Sequence, residues 1–245
     1  TVSRLANAAA AMGIAKKAHL EALFRVRRRT AFGKILLQHD LIQHDLLEMR
    51  LRQVGGTALA FLAIQAFDQA WEERPPYSEG YHLARLLSHL AKGRTAEHAS
   101  AITALAMELF GGLGFLEEYG VARWHREALI TPIWEGPANI QALDMLEAIL
   151  KKRAHEPLLD MLGESPRAQA EAHKILKKLQ EEGPWYAKEA LRALADAVTV
   201  YALEKVAAEP FPELAALYAR RFLKGETLPP SAQRPELYDP WSSLS

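Results

Sequence analysis

The sequence predicts an all-α protein: an up-down four-helix bundle followed by additional C-terminal helices. Three observations carry this. Apolar residues recur at helical spacing through most of the 245 residues. Glycine and proline, 14 and 13 in number, mostly mark the ends of those runs. Alternating strand patterns are absent, as is any repeat of about 20–50 residues.

The first helix follows from Leu5, Ala8, Met12, Ala15, Ala18 and Leu23, and no proline interrupts residues 1–74. Phe32-Gly33 is its expected C-terminal stop. A second helix is predicted from near Gln38 toward Trp71, with Leu46, Leu47, Met49, Leu51 and Leu59 among its core residues. Gly55-Gly56 at its middle either kinks it or admits a close neighbour, and Pro75-Pro76 ends it. The third helix spans about Glu79 to Phe110 and stops at Gly111-Gly112-Leu113-Gly114. A short irregular segment containing Trp124 is expected next, then a fourth helix from about Ala138 to Lys152. Residues 1–152 form the bundle and 153–245 an extension. The extension reads as helices near 166–182, 185–207 and 211–224, punctuated by Gly163, Gly183-Pro184 and Pro210/Pro212. Its last twenty residues, with Pro229, Pro230, Pro235 and Pro240, are expected to be extended. Because its helices are short, the extension is expected to pack on the bundle.

Composition removes several kinds of chemistry. With no cysteine there is no disulfide framework, thiolate zinc site, iron–sulfur cluster or cysteine nucleophile. Nine histidines remain, but none pair at HxxxH or HExxH spacing, so no metal site is expected. No apolar run approaches the ~18 residues needed to span a bilayer. The first 20 residues hold no signal-peptide pattern, and the reading is a cytoplasmic protein with no membrane partner. Lysine plus arginine (30) equals aspartate plus glutamate (30), which gives no global drive toward nucleic acid. The charge is uneven along the chain. Residues 1–53 carry 10 basic and 4 acidic side chains, whereas 54–150 carry 6 and 12. Arg25, Arg27, Arg28, Arg29 and Lys34 crowd within ten positions, either as a solvated helix end or as an anion site for guanidinium forks.

Two segments could carry chemistry. Gly111-Gly112-Leu113-Gly114-Phe115 follows a helix rather than a strand, so it is not a dinucleotide-fold glycine loop. It is a helix stop, or a place where backbone amides approach a ligand unhindered. In Thr131-Pro132-Ile133-Trp134-Glu135-Gly136-Pro137, one carboxylate stands among apolar neighbours just before a helix. It either complements the helix dipole or sits in an apolar cleft, where burial would raise its pKa toward that of a general base.

Taken in order, Arg29-Thr30-Ala31-Phe32-Gly33, Phe110-Gly111-Gly112-Leu113-Gly114-Phe115 and Ile133-Trp134-Glu135-Gly136 resemble the C-terminal helical domain of the acyl-CoA dehydrogenases. Arg123 and Arg126 sit where that family has a basic pair before its catalytic loop. The resemblance covers residues 1 to about 152. It implies an FAD-dependent oxidoreductase in which Glu135 removes the α-proton of an acyl-CoA thioester while the β-hydrogen leaves as hydride to flavin. It also implies that Arg29 and Phe32 meet the FAD of a neighbouring subunit in a homo-dimer or tetramer. Gly111 and Gly112 would give backbone contacts to the same FAD, and Arg4 and Gly136 would lie at the substrate.

Three positions depart from the family pattern. Trp134 replaces a common tyrosine, Pro137 a flavin-bonding threonine, and Glu108 a glutamine, so FAD contact from this face is expected to be weaker. The family's N-terminal helical domain and middle β-domain have no counterpart in these residues. The chain is therefore expected to be a cleaved or excised piece, or one product of a split gene, and inactive without the missing half. Isoleucine-tryptophan-glutamate-glycine followed by Asn139 and Leu143-Asp144 looks most like the DNA-alkylation-response branch. The competing expectations are thus a nucleic-acid-binding flavoprotein of that branch and a helical subunit without chemistry.

Overall fold

In a computed structural model, residues 1–205, 212–230 and 234–239 are described. Four rods form the bundle: α1 (Val2–Val26), α2 (Asp40–Asp68), α3 (Glu79–Phe110) and the pair α4 (Val121–Ile130) and α5 (Ala138–Leu150). The extension contains α6 (His155–Leu162), α7 (Pro166–Glu182), α8 (Ala187–Lys205), α9 (Pro212–Tyr218) and α10 (Pro235–Tyr238). The all-α bundle expected from the sequence is the architecture observed.

Small residues set the bundle's spacing. Ala8, Ala11, Ala15, Ala18 and Ala22 alternate at intervals of three and four along α1, and each is fully buried. Such a stripe lets neighbouring backbones approach more closely than leucine would allow. Side-chain bonds fix the direction of the rods. Arg4 at the start of α1 reaches His89 of α3, while Arg29, beyond the end of α1, reaches Phe110 at the end of α3. These two helices therefore run parallel. The α4–α5 rod returns antiparallel, with His125 beside Thr103 and Gln141 beside His89.

α2 runs unbroken through Gly55-Gly56, so close approach, not a kink, explains the pair. A Cβ at Gly55 would lie 2.5 Å from the Tyr218 ring, and one at Gly56 would lie 2.4 Å from Met12 Sδ. Met12 belongs to the bundle and Tyr218 to the extension, so adjacent glycines admit neighbours from both. The apolar core crosses residue 152 without a break: Leu86 and Leu90 of α3 share one cluster with Leu176, Leu191 and Val198. A bidentate ion pair, Arg94 with Asp196, ties α3 to α8.

Several boundaries differ from expectation. α1 ends at Val26 rather than at Phe32-Gly33. Those two residues are instead the turn of a short hairpin, β1 (Thr30–Ala31) paired with β2 (Lys34–Ile35). Both have positive φ, 52° and 83°, as a two-residue hairpin turn of the favoured hand requires. The segment around Trp124 is helical. Of its 10 residues α4 buries only Val121 and Ala128. α6 was likewise not expected. α9 widens into a π-helical turn at Ala219–Leu223. The tail is not wholly extended: α10 buries Leu237 and Tyr238, and Arg27 pairs with Asp239. The expected stop at Pro210, residues 206–207 of the predicted 185–207 helix, residue 211 of the predicted 211–224 helix, and residues 231–233 and 240–245 of the tail lie outside the described residues.

Candidate active site

The loop Thr131–Gly136 joins α4 to α5, and its backbone is held from three sides. Asn7 of α1 donates through Nδ2 to the Thr131 carbonyl (2.8 Å) and accepts the Trp134 indole N–H at Oδ1 (2.9 Å). Lys92 of α3 donates through Nζ to the carbonyls of Gly136 (2.6 Å) and Pro132 (3.3 Å). Gln141 of α5 donates through Nε2 to the carbonyls of Glu135 (2.9 Å) and Gly136 (3.0 Å). Arg4 of α1 adds Nε to the Glu135 carbonyl at 3.2 Å. These bonds support a backbone that is unfavourable on its own. Glu135 has φ +59°, the left-handed region, which costs a non-glycine residue about 1–2 kcal/mol. Gly136 follows at φ +93°, where a side chain would be strained and would also strike Gln141.

The expectation of a dry carboxylate is not met within this chain. Glu135 is exposed, because its loop turns outward from the bundle. Its Oε2 accepts a 2.6 Å hydrogen bond from the Ser3 hydroxyl, which is also exposed. Apolar side chains do flank it: Ile133 is 62% and Trp134 54% exposed, large hydrophobic surfaces facing outward beside the carboxylate.

Arg4 is fully engaged inside the chain. Besides the Glu135 carbonyl it contacts His89 Nδ1 through Nη1 (3.0 Å) and pairs with Asp144 through Nη2 (2.8 Å). It therefore holds the loop, and the nitrogens expected at the substrate are occupied. His89 Nδ1 faces both the Arg4 donor and the Gln141 carboxamide oxygen at 3.2 Å, so it accepts from one or donates to the other. Burial, helped by the Arg4 charge, lowers the His89 pKa to about 4, and the ring is neutral. The same two causes, partly opposed by Glu135, lower the Lys92 pKa to about 8.

The other predicted residues lie far from this loop. α1 has 25 residues and is therefore about 37 Å long, with Arg4 in its first turn and Arg29 just past its last. Arg29 is half-buried and donates through Nη1 to the Phe110 carbonyl at 3.1 Å. The rest of its fork makes no hydrogen bond among the described residues. Gly111, at φ +68°, lies so close that a Cβ there would approach Nη1 to 2.7 Å. Gly112 is exposed with open space around it. Phe32 at the hairpin tip is 94% and Phe115 80% exposed. A planar cation with spare donors beside bare backbone and outward aromatic rings fits the phosphates and adenosine end of a dinucleotide cofactor. Arg126 is paired with Glu117 (2.9 Å), and Glu108 is exposed.

Comparison with known proteins shows the family. The model of the acyl-CoA dehydrogenase C-terminal domain matches residues 1–150. The chain belongs to the acyl-CoA dehydrogenase family. It is similar to 3-methylmercaptopropionyl-CoA dehydrogenase of Ruegeria pomeroyi, 33% identical over 199 residues, which are 74% of this chain and 34% of that protein. It is also 35% identical over 150 residues to the putative acyl-CoA dehydrogenase AidB of Escherichia coli, covering 61% of this chain and 26% of that one. Among solved structures, Caenorhabditis elegans ACDH-11 in complex with C11-CoA shares the fold at a TM-score of 0.71 with 22% identity, covering 98% of this chain and 47% of that one. The chain thus spans only about a quarter to a third of the length of these two curated relatives.

Within this acyl-CoA dehydrogenase bundle, sequence reasoning missed Lys92, His89, Asn7 and Gln141, all of them buried. One signal was available. On α3 the buried stripe Ser88, His89, Lys92, Thr95 and Thr103 places polar residues where helical periodicity calls for apolar ones. Among the described residues no group of three metal-ligating side chains forms, and no helix is long and apolar enough to cross a membrane.

Proposed function

We propose that this chain carries the proton-abstracting glutamate and the intersubunit cofactor contacts of an FAD-dependent acyl-CoA dehydrogenase. The observation that carries this is Glu135: a carboxylate fixed at positive φ on a loop bonded to α1, α3 and α5. Backbone strain maintained by surrounding bonds is characteristic of positions where geometry serves chemistry. When bound, FAD supplies the acceptor for the β-hydride. Glu135 takes the α-proton of the acyl thioester onto a carboxylate oxygen, and Ser3 holds the other oxygen. Arg4 and Gln141 fix the direction in which that carboxylate leaves the backbone, and Gly136 provides the turn after it.

Two features support completion of the site by polypeptide outside residues 1–245. Glu135 and its apolar flanks face outward, so a covering wall would dry them and strengthen the base. Arg29 and Glu135 stand at opposite ends of a helix about 37 Å long, which suits contact with two cofactor copies in a dimer or tetramer.

The test is reduction of an acceptor dye by acyl-CoA in the complete, FAD-loaded protein. Glu135→Gln is expected to bind FAD and lower turnover by about 10²–10⁴-fold. Turnover within threefold of the unaltered protein would overturn the assignment of the base. Residues 1–245 alone are expected to show little turnover, and robust turnover would overturn the need for a covering wall.

A further inference from the structure

We infer that Lys92 is a positioning residue for Glu135, clamping the two carbonyls that bracket it; this rests on the function proposed above. Lys92 is 1% exposed on a helix whose buried face is otherwise rich in alanine and leucine. A buried ammonium without a carboxylate partner is an expensive occupant of a core, and an aliphatic side chain would fill the same volume at less cost. No acidic side chain among the described residues forms an ion pair with it. Its hydrogen bonds go to Pro132 and Gly136, three residues before Glu135 and one after. The residue is therefore explained by what it holds.

The clamp has a specific mechanical consequence. A loop tied at both ends of the Pro132–Gly136 span resists rotation of Glu135 out of the left-handed region, because that rotation pulls on the bonds to Lys92. Gln141 shares the Gly136 carbonyl and Arg4 takes the Glu135 carbonyl, so three side chains from three helices fix consecutive backbone atoms. Arg4 repels the ammonium and Glu135 attracts it, while His89, one turn earlier on α3, is neutral. Of the three donors on an ammonium, two are used here, and a neutral amine still has two N–H groups. Deprotonation therefore leaves the clamp in place, and the role belongs to the donors rather than to the charge.

Two measurements on the full chain test this, and a third uses the loaded enzyme. In protein labelled with ¹⁵N-lysine, the Lys92 Nζ protons are expected to exchange with water far more slowly than those of exposed lysines. Exchange as fast as at the surface would overturn the inference without any variant being made. Lys92→Met keeps the length and volume but removes the donors. Amides of residues 131 and 133–136 in that variant are expected to exchange about 10-fold faster, with α1 and α3 unchanged. Lys92→Gln, which retains an N–H₂ group on a shorter stem, should fall between the two. Unaltered loop exchange in both variants would overturn the inference. In the FAD-loaded enzyme, Lys92→Met should lower kcat for α-proton exchange by about 10- to 100-fold with acyl-CoA affinity retained. A loosened loop with full kcat would overturn the positioning role. Full turnover in Glu135→Gln would instead overturn the proposed function.

Discussion

Replacing Asp196 with asparagine removes a buried negative charge that three donors share. Arg94 reaches it twice, Nε to Oδ1 and Nη2 to Oδ2, both at 2.8 Å, and the Tyr218 hydroxyl donates to Oδ1 at 2.7 Å. The side chains are 5% and 11% exposed for Asp196 and Arg94, so water does not compensate a lost partner. Removing one member of such a pair typically costs about 3–5 kcal/mol. One contact softens the loss here. Arg94 keeps Glu97 through Nη1 at 3.0 Å, whereas His98, whose Nδ1 faces the Arg52 donor, already gives its Nε2 proton to the Tyr218 hydroxyl. The expected loss is therefore about 3 kcal/mol, the lower end of that range. Urea unfolding followed by circular dichroism measures it, and a single transition is expected because one apolar core spans α3 and α8. A loss below about 1 kcal/mol, the worth of an exposed pair, would refute the claim that this bond fastens the extension to the bundle. The apolar double variant Arg94→Met, Asp196→Leu should recover most of the loss, since no charge is then left unpaired. A double variant weaker than the single one would refute the desolvation argument.

His19 makes stability depend on pH. Burial lowers its pKa to about 4, against 6.5 for an accessible histidine, so the unfolded chain binds the proton more readily. Its contribution is present above pH 6.5 and is lost as pH falls toward 4, in total about 3 kcal/mol. Urea titrations between these limits should show His19→Met flattening the pH dependence by about one bound proton, and an unchanged slope would refute the assignment. Glu135→Gly relieves the positive φ at the cost of unfolded-state freedom. It should leave stability unchanged or raise it by up to about 1 kcal/mol while abolishing turnover, and a loss above that amount by calorimetry would deny the strain. At Gly114 a Cβ would lie 2.4 Å from the Met107 carbonyl oxygen, a backbone atom that cannot step aside. Gly114→Ala should therefore lower stability by about 1–3 kcal/mol, and a neutral melting temperature would show that the turn can shift.

Much of the fold was legible because its signals are local. α3 begins at Glu79 behind Ser78, whose hydroxyl accepts from the Tyr81 amide, and ends at a glycine of positive φ. α7 begins behind Ser165 with a proline in its first turn and ends at Gly183. Both helices were bounded correctly from their flanking glycines and prolines, while the serine caps were not among the signals read. The failures were tertiary in origin. α4 is only 10 residues long, buries just Val121 and Ala128, and rests on its contacts with α1 and α3. Phe32-Gly33 breaks a helix or turns a hairpin equally well on paper, and the choice depends on which surface receives Thr30–Ile35. At the candidate site, Glu135 was legible through its motif. Its exposure was not, because burial depends on which other segments lie across the loop. Lys92 was passed over as one cation on a long helix, and only the fold aims its Nζ at two carbonyls 40 and 44 positions later.

The same helix that bonds to the Glu135 loop also leads into the cation at the far end. α1 is proline-free, buries five alanines against its neighbours, and contacts the Glu135 loop through Asn7 and Arg4 in its first two turns. Its other end passes directly into Arg29, which is anchored on Phe110. A close-packed rod of this kind transmits displacement rather than absorbing it, since cores deform little without losing contacts. If each end meets a different cofactor copy, as proposed, the distance between neighbouring sites is set by the length of α1 and the depth of its alanine stripe. Enlarging one stripe residue, Ala15→Leu, would push α1 away from its neighbours and should disturb both ends together. Under the proposed assignment, FAD affinity at Arg29 and proton abstraction at Glu135 should then fall in the same variant, although Ala15 touches neither group.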